Sequence, residues 1–117
     1  MRGKVLLVDD DVFVKEILSL MLADSEFDVI EAEDGKEAVE MFKMHRPDVV
    51  LMDINMPVMD GIEATRRILK MEPDAIVLAF TAFSAKGKDM LGVGAKEVLT
   101  KPMRGAQLVE IINKYVS

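Results

Sequence analysis

Acidic side chains stand at the ends of two short apolar runs. Residues 5–8 lead directly into Asp9 and Asp10, and residues 49–52 lead into Asp53. A fully apolar run of this length is typical of a strand buried on both faces in a parallel sheet, and ligands bind beyond the carboxyl ends of such strands. We therefore predict that three carboxylates share one sheet edge. Because carboxylates this close repel one another and raise each other's pKa, a divalent cation is the simplest way to neutralise them.

The composition excludes several classes of function. The 117 residues predict a single domain over 1–117, and half of them are hydrophobic, which is enough for a sizeable core. The net charge of −6 argues against a nucleic-acid surface and against an anionic membrane surface. The absence of cysteine excludes disulfides, thiol catalysis and zinc–thiolate sites. No apolar run suits a signal peptide or a membrane span, so we predict a cytoplasmic protein.

The hydrophobic pattern predicts five strands that alternate with five helices. This order indicates a doubly wound α/β fold with a parallel sheet and right-handed crossovers. Asp34 suits the N-cap of the second helix, and the glycines within 84–94 predict that any fourth helix is weak. In the first helix, one buried stripe is predicted from the spacing of Val14, Ile17, Leu18, Met21 and Leu22. The predicted strands cover residues 5–8, 28–32, 49–53, 75–80 and 98–99.

Two more polar residues end predicted strands and should reach the same edge. Thr81 follows the fourth strand and Lys101 follows the fifth. Oxygen ligands without histidine or cysteine favour Mg²⁺, Mn²⁺ or Ca²⁺. A carboxylate can act as a nucleophile and form an acyl phosphate, while a metal and a lysine neutralise the phosphoryl oxygens. Taken alone, each aspartate could be a helix cap, Thr81 could be an ordinary strand residue and Lys101 could be a surface lysine. The joint arrangement of these residues favours a site.

The whole chain, over residues 3–116, resembles the receiver domain of two-component response regulators. The resemblance is carried by residues 5–11 (VLLVDDD), 52–61 (MDINMPVMDG), 81–83 (TAF) and 101–102 (KP). The second of these stretches is the most specific. The resemblance implies a flavodoxin-like (βα)5 sandwich with a five-stranded parallel sheet, and a domain that is switched by phosphorylation.

The resemblance also implies roles for the acidic residues. Asp53 would be the phosphoacceptor, and Mg²⁺, with Mn²⁺ as an alternative, would be bound by Asp9, Asp10 and Asp53. Asn55 would contribute its backbone carbonyl to the metal. The phosphoryl donor would be a sensor histidine kinase or another phosphohistidine protein.

Further residues would bind the phosphoryl group and pass on its presence. Lys101 would pair with the phosphoryl group, Thr81 would move toward it, and Ala82 belongs to the same segment. The bond between Lys101 and Pro102 is expected to be cis. A downstream protein would read the face between Thr81 and Lys101, with neither nucleic acid nor membrane as a partner.

The chain departs from the family pattern on the output side. Many members carry an aromatic residue three positions before the lysine, where this chain has Val98. A valine has one stiff torsion and little area to swing, so we expect output to depend on order and disorder within residues 83–94. Asn55 and Phe83 occupy the positions that shape water access to the acyl phosphate in the family. The spacing between Thr81 and Lys101 is also short by about a pair of residues.

Two other functions compete with a phosphorylation switch. A Mg²⁺-dependent phosphatase of the haloacid dehalogenase type would use Asp9 and Asp11 as its opening motif, but only Glu110 follows Lys101 where that family places an acidic pair. A binding module that keeps the fold without phosphorylation would not need the complete polar set. The sequence leaves open whether the chain is a chemotaxis-type output protein, a phosphorelay intermediate or an excised receiver.

Overall fold

One parallel sheet organises the computed structural model, which describes residues 3–82 and 86–116. The strand order is β2-β1-β3-β4-β5, and each strand is followed by a helix, which confirms the predicted fold class. No helix in the described ranges is long and apolar enough to cross a membrane. The strands are β1 (Gly3–Val8), β2 (Phe27–Ala32), β3 (Val49–Met52), β4 (Val77–Thr81) and β5 (Glu97–Thr100). The helices are α1 (Val12–Asp24), α2 (Gly35–His45), α3 (Gly61–Met71), α4 (Gly87–Gly92) and α5 (Gly105–Val116).

The central strands are apolar throughout because both faces of the sheet are covered. Leu6 and Val50 pack toward α2 and α3, while Leu7 and Leu51 pack toward α1 and α5. Alternate side chains of one strand therefore enter two separate cores, as the period of two in a strand requires. All pairings are parallel, so all five carboxyl ends emerge at one edge.

Three aspartates begin helices by capping them. The Asp11 carboxylate accepts from the Phe13 backbone N–H at 2.9 Å, and the Asp34 carboxylate accepts from the Glu37 N–H at 2.8 Å. Asp60 does the same for α3. Each cap satisfies at least one backbone donor that the first turn of a helix leaves without an intrahelical partner, and Asp11 also accepts from the Val14 N–H at 3.3 Å. The cap predicted at Asp34 is thereby confirmed, and Asp11 has a structural role beside the acidic pair before it.

The buried stripe of α1 differs from the prediction. Lys15, Leu18 and Leu22 face inward, whereas Ile17 is 59 % exposed. With 3.6 residues per turn, Ile17 lies about 100° around the helix from Leu18, beyond the strip that the sheet covers. The predicted inward position of Ile17 is therefore wrong. The buried face of α1 includes Lys15 instead, whose aliphatic stem can pack against apolar neighbours.

The fourth helix is a single short segment, in agreement with the predicted weakness. Its Met90 is fully buried, and the Met90 sulfur accepts from the Thr65 hydroxyl at 3.8 Å. Gly87 packs against Val98 so closely that a Cβ on Gly87 would lie 3.1 Å from a Val98 methyl carbon. Phe83 lies outside the described residues, so the proposed order and disorder of 83–94 stays a prediction.

Tyr115 ties α5 to β5 through a polar contact. Its hydroxyl donates to the Glu97 carboxylate, and the Lys114 Nζ lies 3.3 Å from the same carboxylate. The hydrogen bond to Glu97 raises the pKa of Tyr115 to about 12 from an ordinary value of 10.0, and burial adds to the rise. Tyr115 donates only while it is protonated, so this contribution to stability is complete below pH 10 and is lost as the pH rises through about 12.

Tyr115→Phe is expected to lower the free energy of unfolding at neutral pH by about 1 kcal/mol, the usual net value of one hydrogen bond. The chain has one tyrosine and no tryptophan, so the near-ultraviolet absorbance of tyrosinate reports this group alone. We expect that absorbance to titrate near pH 12 in the native protein and near pH 10 in Glu97→Gln. Identical titrations in the two proteins would contradict the assigned contact.

Candidate functional site

Three carboxylates form a cluster at the carboxyl edge of the sheet. Oxygens of Asp9, Asp10 and Asp53 all lie within 4.8 Å of one another. Asp9 and Asp53 are buried, whereas Asp10 is exposed. The pairing of Val8 with Met52 brings β1 and β3 into register, so the residue after each strand meets its counterpart. The predicted meeting of the three acids is confirmed by this geometry.

Asp9 is held in place by both of its carboxylate oxygens. Its Oδ1 accepts from the Asp11 backbone N–H at 2.9 Å, and its Oδ2 accepts from the Lys101 ammonium. The Asp9 backbone N–H donates to the Ala32 carbonyl at 3.1 Å, which continues the β1–β2 ladder. These contacts orient a buried carboxylate that would otherwise be costly to desolvate.

Asp53 is fixed by its backbone and by one side-chain oxygen. Its N–H donates to the Val8 carbonyl at 3.0 Å, and its Oδ1 accepts from the Ile54 N–H at 2.8 Å. Its Oδ2 lies 3.7 Å from the Lys101 Nζ. Asp53 thus presents one oxygen toward the cluster while the other is bound to backbone.

The electrostatics of the cluster fit a cation. Burial raises the pKa of Asp53, and the charges of Asp9 and Asp10 raise it further against the opposing effect of Lys101 and the Ile54 N–H. One ammonium therefore does not neutralise three carboxylates. An all-oxygen set in which one member is exposed matches the ligand preference of hard divalent cations.

The last residue of β4 and the residue after β5 complete the edge. Thr81 is the last residue of β4 and is buried, and its carbonyl accepts from the Lys101 N–H at 2.9 Å. The Lys101 side chain is only 17 % exposed. Ala82 follows Thr81 on the surface, and the bond from Lys101 to Pro102 is cis, in agreement with the sequence prediction.

The loop from β3 to α3 carries Asn55 past the cluster and contains a strained residue. Asn55 is exposed two positions after Asp53. Val58 is 80 % exposed and has φ of +68°, with a tight turn closed by the Met59 N–H donating to the Pro57 carbonyl at 2.7 Å. A β-branched residue is an outlier in this left-handed region. In a sequence, a left-handed backbone conformation is usually indicated by glycine or asparagine, and valine gives no such indication.

Val58→Gly is expected to raise the free energy of unfolding by about 1 kcal/mol, because relief of left-handed strain exceeds the added flexibility of the unfolded chain. Val58→Asn should stabilise less, and Val58→Ala less again. Chemical denaturation of the four proteins measures the order. A native chain that is more stable than Val58→Gly would show that the turn imposes no strain.

Comparisons with known proteins identify the class. Residues 5–113 match the response regulator receiver domain. The chain is 38 % identical to the chemotaxis protein CheY of Bacillus subtilis over 117 residues, which cover 97 % of this chain and 98 % of that protein.

Solved structures agree. The receiver domain of a sensor histidine kinase of Pseudomonas aeruginosa, solved with magnesium in its active site cleft, has a TM-score of 0.91 and 30 % identity, and the match covers 97 % of each chain. A chain of the CheX–CheY complex of Borrelia burgdorferi, solved with BeF₃ and Mg²⁺, has a TM-score of 0.88 and 35 % identity. That match covers 97 % of this chain and 90 % of that one.

The chain belongs to the response regulator receiver domain family. The match to the family over nearly the full length, together with the acidic cluster, supports a phosphoacceptor switch. It does not support the phosphatase of the haloacid dehalogenase type.

Proposed function

We propose that Asp53 accepts a phosphoryl group from the phosphohistidine of a sensor kinase or phosphotransfer protein. The observation that carries this proposal is the Asp53 carboxylate itself, buried at a strand end with Lys101 on one side and two further carboxylates on the other. The domain would modify its own side chain and turn over no separate substrate. The cytoplasm, where such kinases present their phosphohistidine, is the proposed location.

The transfer is a displacement at phosphorus. A carboxylate oxygen of Asp53 forms the new P–O bond while the P–N bond to the donor imidazole breaks, and the imidazole leaves with that electron pair and takes up a proton. Asp53 must be ionised to attack, and the Lys101 ammonium stabilises the charge on the phosphoryl oxygens. Asp9 accepts a hydrogen bond from Lys101 and so acts as a positioning residue for it.

A divalent cation, Mg²⁺ first and Mn²⁺ as an alternative, would be bound by Asp9, Asp10, Asp53 and the Asn55 carbonyl. It would reduce the electrostatic repulsion between an anionic phosphoryl group and the anionic carboxylate that it approaches. The exposed Asp10 offers the ligand that is open to solvent, through which an ion can enter.

Phosphorylation would change the conformation of residues at the ends of β4 and β5. Thr81 would donate to a phosphoryl oxygen and draw Ala82 with it, while Lys101 moves from Asp9 toward the new charge. Because these residues end neighbouring strands, their shift would alter the surface that a downstream protein binds. Phosphorylation then changes the relative populations of two surface states.

Incubation with acetyl phosphate and Mg²⁺, read by intact mass, tests the proposal. The native chain should gain one phosphoryl group, and Asp53→Asn should gain none. Asp48→Asn is the matched control, since it changes an exposed aspartate beside the start of β3. Labelling of Asp53→Asn equal to that of the native chain would overturn the assignment of Asp53.

A further inference from the structure

The ammonium group of Lys101 lies over an aromatic ring. Its Nζ is 5.5 Å from the centroid of the Phe80 ring, which is within the range in which a cation is attracted to the face of an aromatic side chain. The same ammonium donates to the Asp9 carboxylate and lies 3.7 Å from the Asp53 Oδ2. The ring of Phe80 therefore contacts the cationic group that reaches both acidic strand ends.

The position of the ring is fixed by the sheet. Phe80 comes directly before Thr81 in β4, is only 4 % exposed, and pairs with Leu99 of β5. Phe80 and Leu99 both belong to the core that α1 and α5 cover. Because side chains alternate along an extended chain, Lys101 leaves it on the same side as Leu99, two positions earlier. The register of β4 and β5 thus brings the lysine side chain to the ring.

The surroundings of this contact are apolar. Phe80 and Lys101 line a cavity of about 180 Å³, and its other lining residues are Val14, Ile17, Leu18, Pro102 and Met103. The Lys101 side chain is only 17 % exposed, so water surrounds its ammonium only in part. The attraction between a cation and a ring is stronger where the two groups are desolvated than at an exposed site.

The ring differs from the acidic neighbours of Lys101 in what it leaves free. An ammonium has three N–H donors, and a ring face attracts its charge without using up an acceptor that another group needs. Asp9 belongs to the candidate cation cluster and Asp53 is the proposed phosphoacceptor, so a cation and a phosphoryl group compete with Lys101 for both carboxylates. The Phe80 ring is not part of that competition.

We propose that Phe80 is a positioning residue for phosphoryl transfer, and that its ring face holds the Lys101 ammonium beside Asp53 while a cation occupies Asp9. This role rests on the proposed function of Asp53 as phosphoacceptor. Phe80 acts through Lys101, whose ammonium stabilises the charge on the phosphoryl oxygens. Withdrawal of electron density from the ring should therefore slow the transfer even when the shape of the side chain is kept.

Fluorinated phenylalanines at position 80 test the proposal, because fluorine weakens the negative potential of the ring face with little change in size. The rate of labelling by acetyl phosphate at saturating Mg²⁺ is read by intact mass for phenylalanine and its 4-fluoro, 3,5-difluoro and 3,4,5-trifluoro forms. The rate should fall at each step and should be about three- to tenfold lower for the trifluoro form. Equal rates across the series would overturn the proposal.

Phe42 is the matched control. It is also buried, and the Arg46 guanidinium lies 5.4 Å from the centroid of its ring, but it belongs to α2 rather than to the site. The same substitutions at position 42 should leave the labelling rate unchanged. A fall at position 42 as large as that at position 80 would also overturn the proposal, since it would show a general effect of fluorine on the core.

A second readout tests the contact without any phosphoryl transfer. Protons above a ring face are shielded by the ring current, so the signals of the Lys101 ε-methylene protons should move downfield in Phe80→Leu and stay in place in Phe42→Leu. Unchanged signals in Phe80→Leu would contradict the contact even if the chain is labelled. Shifted signals in a native chain that acetyl phosphate does not label would instead overturn the phosphoacceptor, and with it this role of Phe80.

Discussion

Gly61→Ala is expected to lower the free energy of unfolding by about 3 kcal/mol, at the upper end of the cost of overpacking. A Cβ on Gly61 would lie 2.1 Å from the Asp53 carbonyl oxygen and 3.0 Å from the Ile54 Cα. Both neighbours are backbone atoms of the segment that carries the site, so they cannot turn away as a flexible side chain can. The folded fraction of Gly61→Ala should also be labelled more slowly by acetyl phosphate, because the added methyl group displaces the backbone of Asp53. Chemical denaturation and intact mass measure the two effects.

Gly92→Ala supplies the control for this prediction. No atom lies within 4 Å of the position of a Cβ on Gly92, at the end of α4. The substitution should leave the free energy of unfolding unchanged or raise it by up to about 1 kcal/mol, since alanine favours a helix over glycine. If Gly61→Ala were as stable as Gly92→Ala, the assigned close contact between the start of α3 and the Asp53 backbone would be contradicted.

Chelation of divalent cations is expected to reduce labelling by acetyl phosphate to background, and Asp10→Asn should reduce it in the presence of Mg²⁺. Saturating Mg²⁺ should stabilise the native chain by about 2.7 kcal/mol at 100 times its dissociation constant. Asp10→Asn should lose most of that stabilisation because one ligand is gone. Thermal melts with and without Mg²⁺ measure the difference, with Asp74→Asn as the control at an exposed aspartate outside the cluster.

The effect of pH on cation binding follows from the direction of the Asp53 shift. Burial and the neighbouring carboxylates raise the pKa of Asp53, so a proton competes with the cation at a higher pH than at an ordinary aspartate. Mg²⁺ affinity should therefore fall as the pH is lowered, and the fall should begin at a pH above the range in which an ordinary aspartate carboxyl group takes up its proton.

The Asp10→Asn variant also tests where the cation binds. If Mg²⁺ stabilised Asp10→Asn as much as the native chain, the ion would bind elsewhere.

The parts of the fold that depend on local pattern were predictable from the sequence. Apolar runs that end in Asp9 and Asp53 indicate buried parallel strands, and parallel strands bring their ends to one edge. The capping role of Asp34 follows from its position before a helical pattern. The meeting of Asp9, Asp10 and Asp53 therefore follows from the sequence pattern alone.

Features that depend on tertiary contact were not predictable in the same way. Ile17 has the spacing of a core residue but lies outside the strip of α1 that the sheet covers, and Lys15 takes a buried position that its charge argues against. Val58 adopts a left-handed conformation that its residue type disfavours. The close approach of Gly61 to Asp53 also requires the position of α3, which the residue type alone does not supply.

The contact between Gly87 and Val98 makes the side-chain sizes at these two positions interdependent. A Cβ on Gly87 would lie 3.1 Å from a Val98 methyl carbon, so α4 and β5 have little room between them at this point. A side chain larger than valine at position 98 would have to turn away from Gly87 or displace α4. An increase in size at either position is therefore constrained by the residue at the other.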